Sequence, residues 1–412
     1  MEERNQRMKI EKIIPPLDKI AEWALYIIIF TLPFSKSLVE IFIAIGIFSL
    51  IAKKIILRER FFPNTYIEIT LYILVAASLI SIFNTQHSQL GLSARAFFSK
   101  TLKFAALFLI TREIINTRVK LTNFVTMAAL SCAIILIDCF VQYYITHVDL
   151  LRNYTSFLYR GVTPSFRGYP TASFPFQNDF AAWMLVFIFP AFTIAFFAKR
   201  GLAKSIASFV IFSGLLYALI ITKVRGAWAG FIFSFILLSC IRIRKIGWAI
   251  LIVIMLLGVI CNGRNILSMA SINDRSVMWK NSTQIFMRHP IIGNGLNTFY
   301  DNYMKIRQDE YRNTHGSYAH NCYLQMAAET GLVGLTAFLA FVTALLLKGL
   351  RSLRGIKDPF YYSLILGIGL GLTAFLVHSA VDTNLYSLPL AALFWLSCGI
   401  LLATVKIAES NP

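Results

Sequence analysis

Residues 359–405 read PFYYSLILGIGLGLTAFLVHSAVDTNLYSLPLAALFWLSCGILLATV, and Asp382 is the one formally charged side chain among them. The two halves, 359–381 and 383–405, each exceed the roughly 20 apolar residues that a helix needs to cross the hydrocarbon core of a bilayer. A soluble helix of that length would show a polar face, and neither half has one. Comparable uncharged stretches recur at 69–94, 180–198, 205–222, 246–263 and 330–347. Shorter or charge-interrupted apolar runs add spans near 20–34, 37–53, 121–146 and 226–241. A twelfth, 95–113, requires Lys100 and Lys103 in its first turns to snorkel outward.

Composition agrees with that reading. Of 412 residues, 57% are apolar and 14% charged, with a mean hydropathy of +0.66. Two or three soluble domains, which the length alone would suggest, could not be given a wettable surface from so few charges. The six cysteines are scattered with no C-x-x-C pair, which excludes a disulfide scaffold and leaves them as small core residues. The sequence therefore predicts an all-α integral membrane protein, one polytopic domain over 1–412 with about twelve transmembrane helices.

Cytoplasmic loops retain Lys and Arg. With the N-terminus inside, 23 of the 39 basic residues fall on one side, in short loops, and both chain ends are cytoplasmic. Most of the +19 net charge is then topology, and a nucleic-acid partner is not needed to explain it. The first apolar run lacks a small-residue cleavage motif, so no cleaved leader is expected. Ten of the outward basic residues lie in two long loops, 147–176 and 264–319, the second carrying seven of them against four acids. An anionic ligand on that side would give such charge a purpose.

Several side chains at the outer face invite chemistry. Arg225 opens the eighth span in Arg225-Gly226-Ala227-Trp228-Ala229-Gly230, where small residues permit close helix packing and Arg supplies a bidentate cation. An interfacial Arg with Trp228 as a belt anchor is the alternative. In the large loop, Asp274 followed by sixteen residues to Pro290 suggests an amphipathic helix on the outer surface, with Arg275 and Trp279 on one face. That helix could equally bind lipid headgroups. The turn-rich 290–295 should return the chain to the membrane. His320 stands at the mouth of the tenth span, where a helix N-terminus and a nearby Arg both disfavour imidazolium, so it is expected to stay neutral and able to accept a proton. Asn321 could orient the acceptor or the imidazole, and His315 is the nearest rival base. Glu329, nine residues on, would fall on the opposite helix face. Asp138, and His378 with Asp382, are further polar groups that a membrane tolerates mainly for a purpose. No H-x-x-x-H or H-E-x-x-H spacing occurs, so no metal site is expected.

Together these pieces resemble the O-antigen ligase and polymerase superfamily of bacterial envelope glycosyltransferases. The residues that carry the resemblance are Arg225-Gly226-Ala227-Trp228, Arg275 with Trp279, His289-Pro290-Ile291-Ile292-Gly293-Asn294-Gly295 with Phe299, and two later stretches. Those are His320-Asn321-Cys322-Tyr323-Leu324 and Glu329-Thr330-Gly331-Leu332-Val333-Gly334. A weaker match runs from Arg167 to Asn178, with Gln177-Asn178 in place of the family's Pro-Asn. The resemblance implies a GT-C-like glycosyltransferase with a large periplasmic loop containing short helices, set in the inner membrane of a Gram-negative bacterium among membrane lipids. It implies transfer of a glycan from undecaprenyl diphosphate to an acceptor hydroxyl in the periplasm, with no cofactor.

His320 would act as general base, while Arg225, Arg275 and Arg167 clamp the diphosphate, with Asn321 and Trp279 at the substrate. The R-x10-G repeats of the polymerases are absent after Arg160, Arg167, Arg275 and Arg288, which favours a ligase acting on lipid A core oligosaccharide. A polymerase, a protein O-oligosaccharyltransferase and, from another class, a secondary transporter are the alternatives. The transporter should show two similar halves with midplane polar groups, and no such repeat is present.

Overall fold

The computed structural model describes residues 2–59, 65–151, 168–243, 270–306 and 318–410. The span expected at 246–263 lies outside them. The helices in chain order are α1 (Glu2–Thr31), α2 (Lys36–Leu57), α3 (Tyr66–Ile82), α4 (Leu90–Ala96), α5 (Lys103–Ile114), α6 (Arg118–Val141) and α7 (Gln177–Phe197). They continue with α8 (Leu202–Thr222), α9 (Arg225–Leu238), α10 (Ala270–Arg288), α11 (Phe299–Ile306), α12 (Cys322–Ser352), α13 (Pro359–His378) and α14 (Leu388–Ser410). No β-strand occurs among the described residues.

Seven helices among the described residues are long and apolar enough to cross a bilayer: α6 to α9, some with a short π-helical extension, and α12 to α14. The chain is thus an α-helical, multi-pass membrane protein. The helix starts follow local chemistry. Thr117 Oγ1 accepts from Lys120 N ahead of α6, and Asp358 Oδ1 accepts from Phe360 N at 2.7 Å with Pro359 as first residue of α13.

Two expectations need correction. The third span ends at Ile82 instead of 94, because Asn84 and Thr85 turn back on Ser81 and Ile82 and the side chain of Asn84 donates to Gly293 O at 2.7 Å. Lys100 and Lys103 do not snorkel: Lys100 Nζ donates to Asn297 Oδ1 at 2.6 Å, and Lys103 Nζ pairs with Glu40 Oε1 at 2.6 Å. The tenth span begins at Cys322, with His320 at its mouth as expected, and it accommodates Glu329 because that side chain is buried against protein.

At the centre, α7, α13 and α14 pack with Phe375 stacked on Phe394 and Phe189 on Phe231 of α9. One end of the bundle is tied by ion pairs: Lys53 with Asp18, Lys54 with Glu113, Arg112 with Glu68 and Arg118 with Asp358, at 2.7 to 2.8 Å. The other end gathers the start of α7, α9 and α12 around the loop that joins α13 to α14.

Candidate functional site

That loop carries Asp382, and its backbone is locked to the start of α12. Cys322 N donates to Ser379 O at 2.9 Å and to Asp382 O at 3.2 Å, and Leu385 N approaches Cys322 Sγ at 3.4 Å. The carboxylate of Asp382 is 7% exposed and fully engaged. Oδ1 lies 3.4 Å from His320 Nδ1 and accepts from Thr383 N at 2.8 Å. Oδ2 accepts from Asn178 Nδ2 at 2.5 Å and lies 3.9 Å from His378 Nε2. Burial pushes this carboxyl up, but the His320 hydrogen bond, the attraction of both histidines and the Thr383 N–H outweigh burial and hold it at about 2.

His320 sits two residues before α12, in the left-handed region at φ 49°. Its side chain remains 36% exposed, so the ring meets Asp382 through Nδ1 and leaves Nε2 without a partner among the described residues. Asn321 follows it. Its Oδ1 caps α12, accepting from Tyr323 N and Leu324 N at 3.0 Å each, so that oxygen is committed to the helix.

The Arg225–Gly230 motif works through its glycines. A Cβ at Gly226 would come within 2.7 Å of His378 Cδ2, and one at Gly230 would overlap the carbonyl of Ala374. Both partners lie four residues apart on α13, so α9 seats flat against it and Arg225 starts its helix beside His378. From the other side, α10 begins at Ala270, four residues before the expected cap, and buries Met278 and Ile285 against the protein. Arg275 and Trp279 share a face as their spacing requires. Trp279 Nε1 donates to His320 O at 3.3 Å, and the charge of Arg275 acts on His378.

Two of the family-like stretches are a structural lock. Gly331 breaks α12 at φ 68°. Backbone groups freed by such a break must be paired inside a membrane protein. The 290–295 loop pairs them: Asn294 N and Gly295 N donate to Ala328 O and Glu329 O at 3.0 Å, while Leu332 N donates to Pro290 O at 2.8 Å. Glu329 receives Gln325 Nε2 at 3.2 Å and the backbone N–H groups of Asn297 and Phe299. Gln325 Oε1 in turn accepts from Ala319 N at 3.1 Å, which steadies the residue before His320.

The structure thus brings His320, Trp279, Arg225 and Arg275 to one place. Arg167 and His315 lie outside the described residues. Asp138 is elsewhere, accepting from Leu150 N at 2.7 Å. Among the described residues, no group of three His, Cys, Asp or Glu side chains is placed to hold a metal. Asp382 and Asn178 were not legible as partners of His320, although a lone carboxylate between two apolar spans was a signal that could have raised Asp382. Residues 207–339, less than half of the chain, match the family model described as O-antigen ligase, a stretch that includes Arg225, Arg275, Trp279 and His320 but neither Asp382 nor Asn178. That match supports the O-antigen ligase superfamily. No curated protein matches the chain.

Proposed function

We propose that this chain, whose residues 207–339 carry the O-antigen ligase match, transfers a glycan from undecaprenyl diphosphate to a hydroxyl of lipid A core oligosaccharide at the periplasmic face of a bacterial inner membrane. The observation that carries the reading is the His320–Asp382 contact with Arg225 and Arg275 beside it. With Nδ1 protonated and donating to Asp382, Nε2 of His320 is a free acceptor on the exposed side of the ring. It takes the proton of the acceptor hydroxyl as that oxygen bonds to the anomeric carbon and the bond to the diphosphate breaks. Asp382 then stabilises the imidazolium that forms.

Arg225, Arg275 and Arg167 counter the charge that grows on the departing undecaprenyl diphosphate, the role a divalent cation would otherwise fill. The absent R-x10-G repeats favour a ligase over a polymerase within the same superfamily.

Purified protein supplied with undecaprenyl-diphosphate glycan and, separately, core lipopolysaccharide, a second lipid-linked glycan or an acceptor protein tests both halves. Product on the core oligosaccharide is expected; extension of the lipid-linked glycan would make it a polymerase, and product on the protein an O-oligosaccharyltransferase. His320→Ala should abolish transfer while donor binding persists, and EDTA should leave the wild-type rate unchanged. Retained transfer in His320→Ala removes the general base from the mechanism.

A further inference from the structure

The ends of α6 and α8 are spaced unequally. Near the His320 end the two helices touch: a Cβ at Gly214 would meet Leu136 Cδ1 at 2.8 Å, the rings of Phe140 and Tyr217 are 5.9 Å apart, and the hydroxyls of Tyr144 and Tyr217 are hydrogen-bonded. Toward the opposite end they part and leave a wedge of about 380 Å³, at the lower end of ligand-pocket volumes. Val125 and Ala129 of α6 form one wall, Ala207 and Ile211 of α8 the other, and α7 around Pro190 the floor. Arg200 and Lys204 stand where it reaches the end of the bundle.

These two cations differ from their neighbours. Arg118, close by, is paired with Asp358 at 2.7 Å. Among the described residues no carboxylate lies within ion-pair distance of Arg200 or Lys204. Arg200 instead donates to Thr122 Oγ1 at 3.1 Å and lies 3.5 Å from the centre of the Phe360 ring, which fixes its guanidinium at the head of the wedge. Lys204, one turn into α8, is exposed. An apolar slot in a membrane protein with two cations at its mouth, neither in an ion pair although Asp358 attracts Arg200 from a distance, matches a lipid that carries a hydrocarbon chain and an anionic head.

We propose that the α6–α8 wedge binds one anionic glycerophospholipid, with an acyl chain between the helices and the phosphodiester held by Arg200 and Lys204. Its Arg200 end lies about 30 Å from the His320 end of the bundle, the length of α7 at 1.5 Å per residue. Its occupant fills the gap that α6 and α8 leave and holds α8, which leads directly into Arg225.

Full-length protein, delipidated and then offered phosphatidylglycerol or phosphatidylcholine, tests this by native mass spectrometry and by thermal unfolding. The wild type should retain phosphatidylglycerol and gain more thermal stability from it than from phosphatidylcholine. Lys204→Gln alone should weaken that retention, and Arg200→Gln with Lys204→Gln should lower it about tenfold or more, the scale of two lipid-facing cations. Ala207→Phe, which fills the slot and keeps both charges, should reduce retention of either lipid. Equal retention of the two lipids by wild type, selectivity unchanged in the double variant, retention unchanged in Ala207→Phe, or preferential retention of undecaprenyl phosphate would each overturn the proposal.

Discussion

Where α2, α5 and α12 end, Lys53, Lys54, Arg112, Arg118, Lys120 and Lys348 each face a carboxylate of the same chain within 3.8 Å. At the His320 end, Arg275 meets no carboxylate at that range among the described residues, and the buried acid there, Asp382, is met by two histidines and Asn178. The first arrangement uses charge to hold helices together. The second leaves a cation unspent beside an exposed imidazole. The paired charges should therefore govern stability, and Arg275, beside the exposed imidazole, should govern chemistry, because a fixed cation facing solvent is available to a substrate anion.

Asp382→Asn should show the largest effect. It keeps the shape but loses the charge that orients His320, so transfer should fall by about 10²-fold or more, in kcat with the donor KM little changed. A raised KM with kcat unchanged would make Asp382 a binding residue. The same carboxyl supplies a pH signature. Its pKa is lowered from 3.8 to about 2, so the stability it contributes is complete above about pH 4 and is lost as pH falls toward 2. The difference in melting temperature between wild type and Asp382→Asn should accordingly close over that window. A constant difference would mean that the native carboxyl titrates like a free one.

Arg112→Ala tests the other end. It leaves Glu68, 0% exposed at its side chain, without its partner and should cost about 3 to 5 kcal/mol of stability, while transfer per folded molecule is unchanged. Loss of specific activity in the folded variant would blur the division between the two ends. Arg275→Lys should do the reverse. Transfer should fall by tenfold or more, about 1.4 kcal/mol of barrier, with the melting temperature held, because Lys keeps the charge and loses the planar fork. The smallest effect belongs to Lys348→Gln, whose pair with Glu409 is largely solvated and should contribute about 0 to 1 kcal/mol in a double-mutant cycle.

Hydropathy was enough to read a helical membrane protein, because hydrocarbon forces the backbone to satisfy its hydrogen bonds within each segment and so makes spanning helices local. It was least informative where protein, not lipid, surrounds a polar residue. Glu329 sits inside α12 because Gln325 and the 297–299 backbone solvate it, and Lys103 sits inside an apolar run because Glu40 meets it. A rule that discards charged positions places those helix ends wrongly.

By itself, the sequence determined that the chain is apolar helix after apolar helix and that Arg275 and Trp279 share a face. Each is a property of composition or of spacing along one helix. Only the tertiary structure decided that Asp382, 62 residues from His320, is its partner, that Gly226 and Gly230 are the seat of α9 on α13, and that Asn321 Oδ1 belongs to a helix cap. Those facts depend on how separate helices pack, and no period or motif within a single segment encodes the distance between two of them.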